Sequence, residues 1–178
     1  MGYFLSAGVP LFVTPFGRDT IITCLQIMML DAHPAAATAN VFTQLQGKVV
    51  DPWRDEEPGK IFHEVRRGEL ANIRAIPHTP YFGSADSTPL YLIMLSDIIK
   101  WTGNLEFARG MVEPINRSLD WIDEYGDLDG DGFVEYETKS KRGLVNQGWK
   151  DSGNSVVHTD GSLADTPIAL SEVQAYVY

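Results

Sequence analysis

Carboxylic acids, aromatic side chains and planar polar groups occur together in three segments of this sequence that have no regular apolar spacing. The segments are DPWRDEEPGKIFHEVRRGE at 51–69, HTPYFGSADSTP at 78–89 and NQGWKDSGNS at 146–155. Sugar sites use this combination, because carboxylic acids transfer protons, aromatic faces cover the C–H side of a pyranose and planar polar groups bind hydroxyls. The alternatives are a solvated charged loop for the first segment and a simple Asx-type turn at Asp151 for the third.

Asp151 is the candidate for proton transfer, because it follows Trp149 in a loop framed by glycines. A general acid must be protonated near the working pH, so the pKa of an aspartate, ordinarily about 3.9, has to rise by about 2 to 3. Burial beside Trp149 favours that rise. Lys150 opposes it if its ammonium group faces the carboxylate.

The segment DLDGDGFVEYET resembles the start of a calcium-binding loop. Asp127, Asp129, Asp131 and Gly132 match positions 1, 3, 5 and 6 of an EF-hand-type loop. Position 12 is Thr138 instead of a bidentate glutamate, and the following residues favour a strand. The sequence therefore allows either a structural calcium site at the three aspartates or an ordinary Asp-Gly turn.

Apolar spacing predicts helices that position these segments. A first helix is expected from a cap at Asp19 or Thr20 through Met29, and a second at 35–45. In a third, Pro89 lies in the first turn and Gly103 ends the helix.

A fourth predicted helix extends to about Gly126, with Asn104 as its cap and a kink or split at Pro114. A turn and short β-hairpin are expected within 127–140, and another helix opens within 166–178. Between the second and third helices the chain is irregular. This order of elements predicts an all-α fold of paired helices.

Composition excludes several classes of protein. The chain has 178 residues, enough for one domain, with 44% hydrophobic and 21% charged residues and a net charge of −10. The negative charge disfavours nucleic acid and anionic membranes as partners, and no apolar run approaches the roughly 20 residues of a membrane span.

The sequence also bears on compartment and cofactors. The single cysteine, Cys24, is expected to be a buried structural thiol, and the amino-terminal segment lacks the features of a signal peptide, so we expect a cytoplasmic protein. No CxxC, HExxH, GxxxxGK or GxGxxG motif is present, which disfavours zinc-hydrolase, nucleotide and dinucleotide chemistry.

Five blocks carry a resemblance to a known family. They are AGVPLFVTPFGRDTIIT, DPWRDEEPGKIFHEVRRGELA, PHTPYFGSADSTPLY, DLDGDGFVEY and GLVNQGWKDSGNS. In this order, from about residue 7 onward, the chain resembles the bacterial glycogen-debranching or amylo-α-1,6-glucosidase-type family, a relative of glucosidase I, mannosylglycerate hydrolase and trehalase. The resemblance implies a partial (α/α)6 toroid and an inverting glycosidase that acts on an α-glucan or oligosaccharide without a required cofactor.

The resemblance also implies roles for individual residues. Asp151 corresponds to the general acid that protonates the departing glycosidic oxygen. The residues expected to hold the terminal sugar are Arg18, Asp19, Trp53, Glu64, Arg67, Tyr81, Asp86, Trp149 and Lys150.

The resemblance further implies that residues 1–178 are the amino-terminal half of the catalytic domain, incomplete at both ends, with the catalytic base beyond residue 178. We therefore expect this chain to be inactive alone and to self-associate through exposed faces of its third and fourth helices. A trehalase-like or mannosylglycerate-hydrolase-like enzyme is an alternative. So is a non-catalytic carbohydrate- or calcium-binding module.

Overall fold

The computed structural model describes residues 4–178, and most of their regular structure is helical, as predicted. The helices in these residues are α1 Gly17–Ile27, α2 His33–Leu45, α3 Glu69–Asn72, α4 Ser87–Thr102, α5 Leu105–Gly110, α6 Val112–Trp121 and α7 Ser171–Val177. A π-helical turn at Ile122–Gly126 continues α6, and strands β1 Glu135–Tyr136 and β2 Ile168–Ala169 form a small antiparallel sheet.

The start of α1 differs from the prediction that Asp19 or Thr20 caps it. The helix begins at Gly17, and its capping residue Phe16 makes no side-chain hydrogen bond to the first turn. Instead, the Gly17 amide donates to the carbonyl of His63 at 2.7 Å. A tertiary contact thus satisfies an amide that a local cap would otherwise bind.

The ends of α4 and α5 follow the predicted local signals. Gly103 ends α4 with a left-handed φ of 61°, and its amide donates to the Ile99 carbonyl at 2.9 Å. The Asn104 side chain caps α5 by accepting from the Phe107 amide at 2.9 Å. The predicted split of the fourth helix is confirmed between α5 and α6, which leaves Pro114 in the first turn of α6, where a missing N–H costs little.

The predicted β-hairpin within 127–140 is wrong. β1 pairs with β2, which is distant in sequence, in the register Glu135↔Ala169 and Tyr136↔Ile168. The chain after β1 instead runs to the irregular segment around Asp55, whose carboxylate accepts from the Lys139 amide at 2.8 Å. Because β2 occupies part of the expected last helix, α7 begins only at Ser171.

The core is built around α4, which contacts α1, α2, α5, α6 and α7. Tyr91, Met94 and Leu95 on this helix are fully buried. Phe42 of α2 packs on Phe62 of the irregular segment, with ring centres 4.8 Å apart. Cys24 is also fully buried, which confirms the expected structural thiol.

Helices α1 and α4 run parallel to each other. Arg18 and Asp86 bond at their amino-terminal ends, with 2.8 Å between the Arg18 Nη1 and Asp86 Oδ2 atoms. Met28 and Ile98 line one cleft at their carboxyl-terminal ends.

Helix α2 and the α5–α6 pair run in the opposite direction. His33 and Phe107, near the starts of these elements, line the cleft at the carboxyl-terminal ends of α1 and α4. Thr43, near the end of α2, bonds Tyr91, near the start of α4, at 2.7 Å between the two hydroxyl oxygens. Trp121, at the end of α6, packs on the segment just before α4.

Helix α7 begins near the amino-terminal ends of α1 and α4. Leu170, just before α7, contacts Gly148, whose carbonyl accepts from Arg18. At its other end, Tyr178 lines a cleft with residues from both ends of α4, Pro89 and Lys100. Helices α1 and α4 therefore run one way, α2 and the α5–α6 pair run the other way, and α7 starts beside the amino-terminal ends of α1 and α4.

Some apolar side chains of α4 to α6 remain on the surface. Trp101 is 61% exposed, and Leu105 and Leu119 are also exposed. Self-association through these helix faces stays a prediction. Among residues 4–178, no helix is both long enough and apolar enough to cross a membrane.

Asp55 joins the irregular segment to the loop after β1. Its buried carboxylate accepts hydrogen bonds from the Tyr81 hydroxyl and from the amides of Lys139 and Ser140, each at 2.8 Å, and from the Gln147 side chain at 3.3 Å. Its φ of 51° lies in the left-handed region, which aspartate tolerates better than most residues. Asp55 therefore holds the loop that leads to Asp151.

We predict that Asp55→Asn lowers the free energy of unfolding by about 3 kcal/mol, because an amide NH2 replaces one accepting oxygen and leaves buried donors unpaired. Urea denaturation measures this change. Asp120→Asn, an exposed site on α6, is the matched control and should change stability by less than about 0.5 kcal/mol. Equal effects of the two substitutions would contradict the role given to Asp55.

Candidate functional site

A buried arginine brings three parts of the chain together. The Arg18 guanidinium donates to Asp86 Oδ2 at 2.8 Å and to the Gly148 carbonyl at 2.7 Å, and its second nitrogen lies 3.4 Å from Asp151 Oδ2. Arg18 is only 5% exposed. We call Arg18, Asp86, Trp149 and Asp151 the Arg18 cluster.

Gly17 allows α1 to come close enough for these contacts. A Cβ atom at Gly17 would collide with the Phe62 carbonyl oxygen and would lie 2.5 Å from the Ser87 hydroxyl in the first turn of α4. Any larger residue would therefore push α1 away from α4. Arg18, the next residue, reaches Asp86 because this approach is possible.

Asp86 is the fully buried partner of Arg18. The Ser84 hydroxyl donates to its other oxygen at 2.6 Å, and Ser84 also bonds Ser87 at 2.6 Å. Burial alone would lower the pKa of Arg18, but the charge of Asp86 and its hydrogen bond raise that pKa above its ordinary value. Arg18 therefore stays protonated in the interior.

Trp149 and Asp151 form the open side of the Arg18 cluster. The guanidinium carbon of Arg18 lies 5.2 Å from the centre of the Trp149 ring, yet Trp149 is 58% exposed. The Asp151 side chain is 39% exposed. Asn146 holds the loop by donating to the Ser152 carbonyl at 2.7 Å. A positioned carboxylate and an aromatic face are thus both accessible to a ligand.

Two predicted sugar-binding residues are instead buried in the framework. Glu64 accepts two hydrogen bonds from Arg66, at 2.8 and 2.9 Å, and lies 3.1 Å from the His78 Nε2 atom. Burial opposes ionisation of Glu64, but His78 and Arg66 outweigh it and lower its pKa to about 2. The Tyr81 hydroxyl binds Asp55, and burial, together with that carboxylate, raises the pKa of Tyr81.

The remaining predicted residues are not members of the Arg18 cluster, and they differ in how near to it they lie. Asp19 is half-buried on α1, directly after Arg18, and Lys150 is exposed beside Trp149. Arg67 is exposed and lines a cleft with Phe12. Trp53 lines another cleft, with Asp51, Arg54, Arg74 and Thr79, none of which belongs to the Arg18 cluster. The structure therefore brings Arg18, Asp86, Trp149 and Asp151 together and leaves Trp53 and Arg67 apart from them.

His63 lies close to the cluster but was not selected from the sequence. Its carbonyl accepts from the Gly17 amide, next to Arg18, and its side chain is buried between Phe16 and Tyr81. No spacing or composition distinguishes His63 from the charged residues around it.

The loop at 127–135 brings three carboxylates together, and they are not the same three that the sequence predicted. Asp127, Asp129 and Glu135 have one carboxylate oxygen each within 4.8 Å of the others. Asp131 instead accepts from the Phe133 amide at 2.9 Å. Partial burial and the neighbouring Asp129 raise the pKa of Glu135. Three converging carboxylates suit a hard cation such as calcium, which prefers oxygen ligands.

The backbone of the same loop also shows the alternative Asp-Gly turn chemistry. Asp127 accepts hydrogen bonds from the amides of Gly130, Asp131 and Gly132 at 2.7 to 3.1 Å. The loop is therefore ordered by its own amides.

No protein-family model matches the chain, and no curated protein matches it significantly.

The low pKa of Glu64 predicts a pH-dependent contribution to stability. The pKa falls from about 4.5 in an unfolded chain to about 2 in the fold, so this contribution is present above pH 4.5 and is lost as the pH falls toward 2. It amounts to about 3 kcal/mol at neutral pH. The difference in unfolding free energy between the wild type and Glu64→Gln should therefore be largest above pH 5 and shrink below pH 4.

Urea denaturation from pH 2 to pH 7 measures the difference. Glu124→Gln, at an exposed position, is the control and should give a small, pH-independent change. A difference for Glu64→Gln that did not vary with pH would contradict the ion-pair assignment.

Proposed function

We propose that this chain contributes the general acid and part of the sugar-binding wall of an inverting α-glucosidase of the glycogen-debranching type. The observation that carries the proposal is the Arg18 cluster. In it, an accessible carboxylate, Asp151, and an exposed aromatic ring, Trp149, are held beside a buried ion pair.

The direction of the helices supports a partial (α/α)6 toroid. α1 and α4 run one way, and α2 and the α5–α6 pair run the opposite way. Paired helices of alternating direction are the units of such a ring. The cluster lies at the amino-terminal ends of α1 and α4, near the start of α7, which agrees with a site at one mouth of the ring.

Asp151 is the proton donor in the proposed reaction. Protonation of the glycosidic oxygen allows the C–O bond to break as water attacks the anomeric carbon from the opposite face. Asp86 balances the charge of Arg18, so the Asp151 carboxylate lies beside an ion pair instead of a lone cation. Trp149 offers a flat apolar surface for the sugar ring.

The family resemblance, not the geometry, places the base of the proposed reaction outside these 178 residues. Glu64 is engaged by Arg66 and His78, and Asp86 by Arg18 and Ser84, so neither carboxylate is free to activate water. Inversion needs two carboxyl groups roughly 6.5 to 9.5 Å apart. The chain alone is therefore proposed to bind saccharide without hydrolysing it.

The decisive test compares substrates that differ in their need for an acid. In the product of the full reading frame that encodes this chain, Asp151→Asn should lower kcat/KM for isomaltose and maltose roughly 100- to 10,000-fold. Hydrolysis of α-glucosyl fluoride should fall much less, because fluoride departs without a proton. Initial rates of glucose release measure both.

Asp165→Asn is the matched control, because this aspartate is exposed in the same part of the chain. It should leave both rates unchanged. Near-normal turnover of isomaltose and maltose by Asp151→Asn would exclude Asp151 as the acid. Trehalose and mannosylglycerate should be tested in the same assay. The trehalase-like and mannosylglycerate-hydrolase-like alternatives differ from the proposed α-glucosidase only in their substrate.

A non-catalytic calcium-binding module is the second candidate, and the trio Asp127, Asp129 and Glu135 favours it. Calorimetric titration of the chain with calcium should show binding that Glu135→Gln weakens at least tenfold. Asp131→Asn is the control and should have a smaller effect, because Asp131 lies outside the trio. Calcium binding without α-glucosidase activity in the full product would favour this candidate. Equal losses of calcium affinity in Glu135→Gln and Asp131→Asn would contradict a site formed by Asp127, Asp129 and Glu135.

A further inference from the structure

We infer that His63 is a neutral hydrogen-bonding residue of the Arg18 cluster, and that the ligand it contacts is an uncharged saccharide hydroxyl. This inference rests on the proposed function and extends it, because it adds a ligand-contacting residue and specifies the charge of the substrate.

The backbone holds His63 firmly beside the cluster. Its carbonyl accepts from the Gly17 amide at 2.7 Å, and its amide donates to the Tyr81 carbonyl at 2.7 Å. Its ring packs edge-on against Phe16 and Tyr81, with ring centres 5.9 and 6.2 Å away. The imidazole therefore has a fixed position next to the residue that precedes Arg18.

The ring nitrogens of His63 have no hydrogen-bond partner among residues 4–178, although the residue is only 6% exposed. The buried acids and phenol nearby, Glu64, Tyr81 and Asp86, all have partners. Unlike the enclosed Nε atom of Arg18, neither His63 nitrogen is sealed from solvent. Because an unpaired buried polar group costs about 1 to 3 kcal/mol, a ligand that reaches these nitrogens would recover that cost.

Charge at this position favours a neutral ligand. Burial lowers the pKa of His63 and Arg18 adds to the effect, while Glu64, Asp151 and Asp86 oppose it without reversing it. A neutral imidazole has one donor and one acceptor, which matches a hydroxyl group. Of the three carboxylates near His63, Glu64 is paired with Arg66 and Asp86 with Arg18, so an anionic ligand would be repelled mainly by Asp151.

NMR of the chain with 13C-labelled histidine tests this inference directly, because the protein has only four histidines. The signal of His63, assigned by its loss in His63→Gln, should shift saturably as maltotriose is added. The signal of the exposed His158 should not shift. The titration itself uses only the wild-type chain, and the variant serves to assign the signal.

Calorimetry on variants supplies the second measurement. His63→Phe preserves a flat ring without hydrogen bonds and should weaken maltotriose binding about tenfold. His63→Gln retains a neutral donor and acceptor and should weaken it no more than about threefold. Methyl α-glucoside should bind at least tenfold more tightly than methyl α-glucuronide, which differs from it by one carboxylate.

The outcomes separate this inference from the proposed function. If maltotriose does not bind the wild type, both fail. If maltotriose binds but the His63 signal does not move and His63→Phe binds normally, the saccharide site stands and the role of His63 is overturned. Equal or tighter binding of the glucuronide overturns the inferred preference for a neutral ligand.

Discussion

The ion pair between Arg18 and Asp86 is the contact on which the site depends. Both groups are buried, so each requires the other, and removing one partner of such a pair typically costs about 3 to 5 kcal/mol. A buried ion pair adds little net stability over an apolar pair of the same shape. Its effect here is geometric: it fixes α1 against α4 and leaves Arg18 directed at Gly148 and Asp151.

Buried polar side chains order the parts of the fold that lack regular structure. The Gln46 amide nitrogen lies 2.9 to 3.1 Å from the carbonyl oxygens of Gly59 and Pro114 and from the Ser118 hydroxyl oxygen. Glu57 accepts from the Trp121 indole at 2.9 Å. The long segment between α2 and α4 can be buried without helices or sheets because side chains like these satisfy its backbone groups.

The predicted site residues divide into two groups once the fold is known. Glu64, Tyr81 and Asp86 are internal and hold the scaffold, whereas Trp149 and Asp151 are accessible. Residue type could not separate these groups, since a carboxylate or phenol suits a buried hydrogen-bond network as well as a sugar site. Burial decides between the roles, and burial of a loop residue depends on elements far away in the sequence. His63 was missed for the same reason.

The sequence by itself determined the features that depend on neighbours a few residues away. The cap at Asn104, the end of α4 at Gly103 and the split before α6 all follow from local spacing. Tertiary structure decided the pairing of β1 with β2 and the start of α1 at Gly17. Each of these requires a hydrogen bond or a charge contact between segments that only packing of the whole chain brings together, so no local pattern encodes it.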